Sequence, residues 1–118
     1  MPFYAQALDL IDDSALIAEY ERQHLSVWPE VSAGLRRIGI LSLRIWRHGT
    51  RLFMVFEAGP DFDPARDFQT YTSDPRCAAW DALMRRFQRP VPGASPTSWW
   101  SPMQLICSLD LGPPLSRP

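Results

Sequence analysis

The sequence predicts an α+β fold with the element order βαββαβ in a chain of 118 residues. Two long stretches repeat apolar residues every three or four positions, which indicates helices with one buried face. Shorter stretches before, between and after them alternate apolar and polar residues, as strands do. Elements in this order are typical of an antiparallel sheet that carries both helices on one face.

The first strand is predicted over Phe3 to Leu10 and the first helix over Ser14 to Arg37. The Asp-Asp-Ser run at the start of the helix supplies side chains that cap an N-terminus. Gly39 follows its last turn, where glycine commonly ends a helix. Pro29 lacks a backbone N–H and its ring clashes with the preceding turn. We therefore expect the helix to kink or restart just before this proline.

A hairpin follows the first helix. Its strands are predicted over Ile40 to Arg47 and Leu52 to Glu57, joined by the turn His48-Gly49-Thr50. Near the C-terminus, the segment from Pro90 to Pro102 is rich in proline and serine and is expected to be a loop. The last strand is predicted over Met103 to Leu109, where the chain becomes apolar again.

The second helical stretch is predicted over Phe68 to Phe87, with a break between Thr72 and Pro75. Ser73 or Asp74 is suited to cap the second piece, because short polar side chains accept hydrogen bonds from the free N–H groups of a first turn. Apolar residues of that piece share one helix face and are expected in the core: Cys77, Trp80, Leu83, Met84 and Phe87.

Together these elements predict a ferredoxin-like fold, a four-stranded antiparallel sheet with two helices on one face. The other face of the sheet needs a cover, and in so small a protein a second copy usually provides it. We therefore expect a homodimer that forms a dimeric α+β barrel. The domain is predicted to span residues 1–110, followed by a loose C-terminal tail at residues 111–118.

The composition argues against several classes of function. The net charge is −1 and no basic run occurs, so nucleic acid is not expected as a partner. The first residues lack the basic and apolar regions of a signal peptide. No apolar run approaches the roughly 20 residues that cross a membrane. We expect a soluble, cytoplasmic protein without a membrane partner.

The chain contains no lysine, and all of its basic residues other than histidine are arginine. Schiff-base catalysis and the anchoring of pyridoxal phosphate both need a lysine amine, so neither is possible. Cys77 and Cys107 lack the spacing of metal ligands, and the acidic residues from Asp61 to Asp74 lie among loops and helix caps. We predict no metal and no cofactor, which leaves acid–base chemistry by side chains, or no chemistry.

His24 is the residue best suited to acid–base chemistry. It lies within an apolar helical stripe that a globular protein turns inward: Leu16, Tyr20, His24, Val27, Val31, Leu35 and Ile38. Such a histidine is either a core residue bonded to a backbone carbonyl or the reactive group of a pocket. Tyr20 projects from the same side of the helix, four residues earlier. The tryptophans of the chain either fill the core or stack on the faces of sugar rings.

The run YERQH from Tyr20 to His24, with VWPE from Val27 to Glu30, resembles the signature of the L-rhamnose mutarotase family. This family consists of small, dimeric, ferredoxin-like aldose 1-epimerases. Further matches lie at Gly39, in the segment Ser73 to Trp80, and at Gln104. The resemblance covers nearly the whole chain.

The resemblance implies an enzyme that interconverts the α and β anomers of a 6-deoxyhexose, with L-rhamnose as the first candidate and L-fucose as the second. It implies that His24 is the proton donor. The positions that bind the sugar or shape its pocket would be Tyr20, Trp28, Glu30, Leu43, Ala79 and Trp80. Leu43 and Ala79 depart from the tyrosine and the tryptophan that are usual in the family, so two groups that contact the sugar ring are lost.

Two other functions stay open at this point. A cofactor-independent monooxygenase on the same dimeric scaffold would hold an aromatic polyketide in a hydrophobic pocket, although the motif from Tyr20 to Glu30 argues against it. A non-catalytic sugar-binding or dimerisation module would be consistent with the departures at Leu43 and Ala79. Glu30, directly after Pro29, either caps the restarted helix or bonds a ligand hydroxyl.

Overall fold

The computed structural model describes residues 2–116. It confirms the α+β, ferredoxin-like fold, with each of the two predicted helices divided into two pieces. The elements are, in chain order, β1 (Phe3–Leu10), α1 (Ser14–Gln23), a 3₁₀ turn (His24–Ser26), α2 (Pro29–Arg37), β2 (Ile40–His48), β3 (Arg51–Ala58), α3 (Pro64–Thr72), α4 (Pro75–Arg85), β4 (Gln88–Arg89) and β5 (Ser101–Pro102).

The sheet is antiparallel and its strands lie in the order β2-β3-β1-β4, with β5 also paired to β1. Alternate residues of the central strands, such as Leu8 opposite Leu52 and Tyr4 opposite Phe56, face the helices and form the core. The intervening residues form the other face, which none of the helices within residues 2–116 covers. Phe3 and Trp46 on that open face are 67% and 53% exposed.

The predicted break in the first helix is confirmed. α1 starts after Asp13, whose carboxylate accepts the N–H of Leu16 at 3.0 Å. α2 begins at Pro29, after Trp28 in an extended conformation with φ −59° and ψ 136°. A proline is tolerated in a first turn because its missing N–H would have no helical acceptor there. Gly39 follows α2 with a φ of +99°, which favours glycine.

The second helix is also broken as predicted, but it begins at Pro64 rather than at Phe68. Asp63 caps α3 by accepting the N–H of Ala65 at 3.1 Å. Of the two candidates for the next cap, it is Asp74 that accepts N–H groups of the first turn of α4. Pro29 at the first break and the Asp74 cap at the second are local signals, which explains why both breaks can be located from the sequence.

The predicted last strand over Met103 to Leu109 is wrong. β4 and β5, of two residues each, complete the edge beside β1 instead. After the N–H of Met103 donates to the carbonyl of Ala5 at 2.8 Å, the chain leaves β1. Leu105 and Ile106 are 77% and 92% exposed. Their apolar pattern indicates a half-buried strand, but the described chain places no apolar layer against them.

The division into a domain at residues 1–110 and a tail at residues 111–118 stays a prediction, and residues 1, 117 and 118 lie outside the described range. Across residues 2–116, no helix has both the length and the apolarity needed to cross a membrane. Over the same range, no group of three or more His, Cys, Asp or Glu side chains is arranged to hold a metal ion.

α2 approaches α4 closely at Gly34. A Cβ added to Gly34 would lie 2.6 Å from the Sγ of Cys77, a distance that real Cβ atoms do not reach. The thiol of Cys77 in turn donates to the backbone carbonyl of Glu30 at 3.4 Å. Because the two helices are so near, Trp28 ahead of α2 packs on Trp80 of α4, with ring centroids 5.2 Å apart.

We expect Gly34→Ala to lower the free energy of unfolding by about 1–3 kcal/mol, the usual cost of overpacking a core. Alanine's better helix propensity, worth up to about 1 kcal/mol, offsets only part of this loss. Urea unfolding followed by circular dichroism measures the change. Gly59→Ala is the matched control, because a Cβ there would meet its nearest neighbour at 3.8 Å. Equal stability of the two variants would contradict the proposed close approach.

Candidate active site

His24 lies where α1 ends, and its ring is held by the helix itself. Nδ1 is 2.8 Å from the backbone carbonyl oxygen of Tyr20. A carbonyl can only accept a hydrogen bond, so Nδ1 must carry the proton of that contact. Nε2 is therefore the nitrogen left to exchange a proton with a ligand. The predicted bond to a backbone carbonyl is therefore present, and the same imidazole also lines a cleft, while its reactive role stays a prediction.

The phenol of Tyr20 belongs to a buried polar network. Tyr20 is 4% exposed and Gln88 is 6% exposed. The side-chain amide of Gln88 donates from Nε2 to the Tyr20 hydroxyl at 2.9 Å. The indole N–H of Trp99 donates to Oε1 of the same amide, also at 2.9 Å. Pairing of this kind offsets the cost of placing polar groups in a core.

Burial raises the pKa of Tyr20 to about 12, and the hydrogen bond from Gln88 offsets only part of this shift. The phenol is therefore neutral at physiological pH. A neutral phenol can donate a hydrogen bond to a sugar oxygen, but it is a poor base. Tyr20 is thus suited to hold a hydroxyl rather than to remove a proton from it.

Aromatic side chains pack against the imidazole of His24. The rings of Tyr20 and His24 have centroids 4.4 Å apart, and Trp80 meets His24 edge-on at 5.6 Å. Trp28 then packs on Trp80, and the guanidinium of Arg76 lies 4.1 Å from the Trp28 ring centroid. Rings packed at these angles restrict the motion of His24.

A cleft of about 350 Å³ opens beside His24, between the end of α1 and the hairpin of β2 and β3. Its volume lies within the range of about 300–1,000 Å³ that is typical of small-molecule sites. Polar and apolar side chains both line it, and the lining residues are Tyr20, Glu21, His24, Ile45, Trp46, Arg47 and Leu52. A small, partly polar ligand such as a 6-deoxy sugar would match this lining.

An ion pair lies at one side of the cleft. Nε of Arg47 donates to the carboxylate of Glu21 at 2.6 Å, and Nη1 of Arg47 donates to the backbone carbonyl of Gly49 at 2.8 Å. The pair connects α1 to the turn of the hairpin. It places one anionic and one cationic group beside His24, both of which can bind sugar hydroxyls.

The other predicted site residues are placed differently. Trp28 and Trp80 support His24 but are not among the residues that line the cleft. Leu43 lines a second cavity of about 250 Å³ between α2 and β2. Ala79 is exposed on α4. Glu30 is also exposed, in the first turn of α2, and its carboxylate lies 3.8 Å from Nε of Arg76. Roles for these residues toward a sugar stay predictions.

Several residues of this region were not predicted as site residues from the sequence, among them Glu21, Arg47, Gln88 and Trp99. Gln88 stands between Phe87 and Arg89 without a motif of its own, and its partner Tyr20 is far away in the sequence. Trp99 lies in a loop that has no periodic pattern. The pair Trp99-Trp100 in a proline-rich segment was the available signal, since large apolar residues in a loop indicate that the loop is anchored.

Comparison with known proteins identifies the family. The sequence profile of L-rhamnose mutarotase matches residues 4–109. The chain belongs to the L-rhamnose mutarotase family. It is an isomerase, an aldose 1-epimerase, as the motif from Tyr20 to Glu30 predicted. The match covers nearly the whole chain, as does the resemblance seen in the sequence.

Two relatives are similar over most of their length. An L-fucose mutarotase of Xanthomonas campestris pv. campestris is 52% identical over 105 residues, which cover 87% of this chain and 84% of that protein. A UPF0734 protein of Dictyostelium discoideum is 50% identical over 111 residues, which cover 91% of this chain and 89% of that protein.

Two solved structures share the fold at low sequence identity. The L-rhamnose mutarotase of Formosa agariphila has a TM-score of 0.68 and 18% identity, covering 93% of this chain and 100% of that one. The tetracenomycin F2 cyclase of Streptomyces glaucescens, a type II polyketide cyclase, has a TM-score of 0.67 and 16% identity, covering 95% and 100%. At such identities the likeness shows the fold alone.

The raised pKa of Tyr20 predicts a late step in the alkaline titration of the protein. The difference in tyrosinate absorbance between the native protein and Tyr20→Phe should rise near pH 12, well above the usual value of 10.0. Folding stability should fall as the pH rises from about 10 to about 12, because only the unfolded state then ionises this tyrosine. Circular dichroism checks that the fold persists. A difference step near the usual value would contradict burial of the phenol.

Proposed function

We propose that the protein interconverts the α and β anomers of a 6-deoxyhexose by acid–base ring opening and reclosure, with His24 as the proton donor. The observation that carries the proposal is the orientation of His24. Its Nδ1 is held by the carbonyl of Tyr20 at 2.8 Å, and Nε2 is left for a ligand in a cleft of suitable size. A fixed imidazole is suited to give and take a proton near neutral pH.

Ring opening needs one proton delivered and one removed. Protonated His24 gives its Nε2 proton to the ring oxygen while a base takes the proton of the anomeric hydroxyl, and the C1–O5 bond breaks to leave an aldehyde. Rotation about C1–C2 presents the other face of the carbonyl. The ring oxygen then attacks C1, and both protons return along the same path. The anomer has changed and the two protein groups regain their initial states.

Glu21 is our candidate for the group that takes the anomeric proton. Among the described residues that line the cleft, it carries the one carboxylate. It follows Tyr20 directly in α1, one turn before His24. The ion pair with Arg47 at 2.6 Å holds the carboxylate in place. Exposure of more than half of its side chain leaves the carboxylate accessible to a ligand.

The sugar that we favour is L-fucose, with L-rhamnose as the second candidate. L-fucose is favoured by the 52% identical relative from Xanthomonas, which is an L-fucose mutarotase, and L-rhamnose by the family profile. Both sugars carry a methyl group at C6, for which Ile45 and Leu52 provide an apolar wall in the cleft. The two sugars differ in the orientation of the hydroxyls at C2 and C4. Polar side chains of the cleft would have to distinguish those hydroxyls.

Saturation-transfer NMR of the anomeric protons tests the proposal directly. The native protein should accelerate anomer exchange of L-fucose or L-rhamnose, and His24→Ala should reduce the accelerated rate by about 10²–10⁴-fold, the usual contribution of a positioned acid. His48→Ala is the matched control, because His48 is an exposed histidine of the β2 strand end. No acceleration of either sugar, or equal acceleration by His24→Ala, would refute the proposal.

We also propose that the enzyme is a homodimer in which a second copy covers the open face of the sheet. The centre of that face is apolar, formed by Phe53 and Val55 on β3 with neighbours from β1 and β2. Arg44 lies opposite Val55 and Glu57 ends the β3 row, while Arg51 at the other end is paired with the carboxylate of Asp9. A second copy related by a two-fold axis would cover the exposed Phe3 and Trp46 of this face. The exposed apolar side chains after β5 offer further surface to the second copy.

The dimer predicts a mass in solution of twice the 13.5 kDa of the chain, measured by sedimentation equilibrium. Val55→Glu places a charge at the centre of the open face and should shift the protein to a monomer. Leu25→Glu is the control, because Leu25 is 85% exposed on the 3₁₀ turn, away from the sheet. A native monomer, or a dimer unchanged by Val55→Glu, would exclude this interface.

Cytoplasmic location and the lack of a nucleic-acid or membrane partner stay predictions from the sequence.

A further inference from the structure

We infer that Gln88 and Trp99 are positioning residues, which direct the hydroxyl proton of Tyr20 into the cleft beside His24. The three side chains form a continuous chain of hydrogen bonds, from the Trp99 indole to the Gln88 amide at 2.9 Å and from that amide to the Tyr20 phenol at 2.9 Å. The inference rests on the proposed function, because the cleft is where the sugar would bind.

The indole of Trp99 determines which atoms donate and which accept in this series of hydrogen bonds. An indole N–H can donate but cannot accept, so the amide atom that faces Trp99 must be the oxygen. The amide nitrogen of Gln88 then faces Tyr20, and its N–H donates to the phenol oxygen. The phenol consequently acts as an acceptor toward Gln88. Its own proton is left to donate elsewhere.

The cleft is the place where that proton can be used. Tyr20 lines the cleft together with His24, and the two rings are 4.4 Å apart. Because burial keeps the phenol neutral, the proton is present at physiological pH. A sugar oxygen beside His24 would therefore meet a donor whose direction has been set before the sugar arrives. Preorganisation of this kind avoids reorienting the group during the reaction.

Both positioning residues are themselves held by the fold. Gln88 lies in β4, where its backbone pairs with Leu10 of β1, so its Cα position is fixed by the sheet. Trp99 is partly buried against the core, and the guanidinium of Arg85 lies 4.8 Å from its ring centroid. The proline-rich loop thus contacts the site through the indole of Trp99. This contact gives the loop a role that its sequence does not indicate.

Trp99→Phe tests the inference, because it keeps an aromatic ring but removes the N–H. The Gln88 amide could then turn its oxygen toward Tyr20 and draw the phenol proton away from the cleft. We expect the enzyme-catalysed rate of anomer exchange to fall by about tenfold, as losing one hydrogen bond of ordinary strength produces. Trp100→Phe is the matched control, since the adjacent indole makes no side-chain hydrogen bond among the described residues, and its rate should stay at the native value.

A double-mutant cycle separates positioning from general packing. In a Tyr20→Phe background, Trp99→Phe should have no further effect on the rate, because there is no phenol proton left to direct. A residue with a merely structural role would lower the rate by the same factor in both backgrounds. That result, a native rate for Trp99→Phe, or an equal loss for Trp100→Phe, would overturn the inference.

A spectroscopic measurement tests the orientation without using activity. The Raman Fermi doublet of tyrosine reports whether a phenol donates or accepts a hydrogen bond, and Tyr20→Phe identifies the contribution of Tyr20. In Gln88→Glu the carboxylate can only accept, so the Tyr20 signal should change from acceptor to donor type. An unchanged signal would overturn the inference. This outcome is independent of whether the native protein acts on the sugars, so its failure is distinct from failure of the proposed function.

Discussion

The break in the first helix is the constraint on which the site depends. Pro29 cannot continue α1, so the helix ends at His24 and the chain turns before it restarts. The carbonyl of Tyr20 accepts the backbone N–H of His24 in the last turn of α1. A carbonyl oxygen has two lone pairs, so the same group also accepts the hydrogen bond from the His24 ring. An uninterrupted helix would extend the backbone past His24 and close the opening that exposes its Nε2.

A second requirement is that polar groups in the core are paired with one another. Tyr20 and Gln88 are almost fully buried, and together with Trp99 they pair the phenol oxygen, the amide oxygen and one amide N–H, whereas the phenol proton has no partner among the described side chains. Leaving one donor unpaired inside an apolar region is costly unless a ligand accepts it. In the proposed site, an oxygen of the bound sugar would accept this proton. The same three side chains therefore belong both to the packed core and to the proposed site.

The comparisons show that the fold of this chain is shared by proteins with different functions. A mutarotase and a polyketide cyclase match the fold almost equally well, with TM-scores of 0.68 and 0.67. The fold alone therefore cannot decide between sugar and polyketide chemistry. The family profile decides it, because it matches this chain over residues 4–109.

From the sequence alone, most of the elements, both helix breaks, a cap at Ser73 or Asp74 and the role of Gly39 could be predicted, because each depends on residues only a few positions apart. The motif around His24 was equally accessible, since it lies within one helix and its turn. The edge of the sheet could not be predicted, because the pairing of β4 and β5 depends on contacts with β1, which is distant in the sequence. The apolar pattern of Met103 to Leu109 does not report those contacts. Only the tertiary structure joined Tyr20 to Gln88, which is 68 positions away, and placed Leu43 beside a different cavity from His24. Contacts between residues so far apart in the sequence produce no periodic pattern in a single sequence. They are determined by how the helices and strands pack in three dimensions.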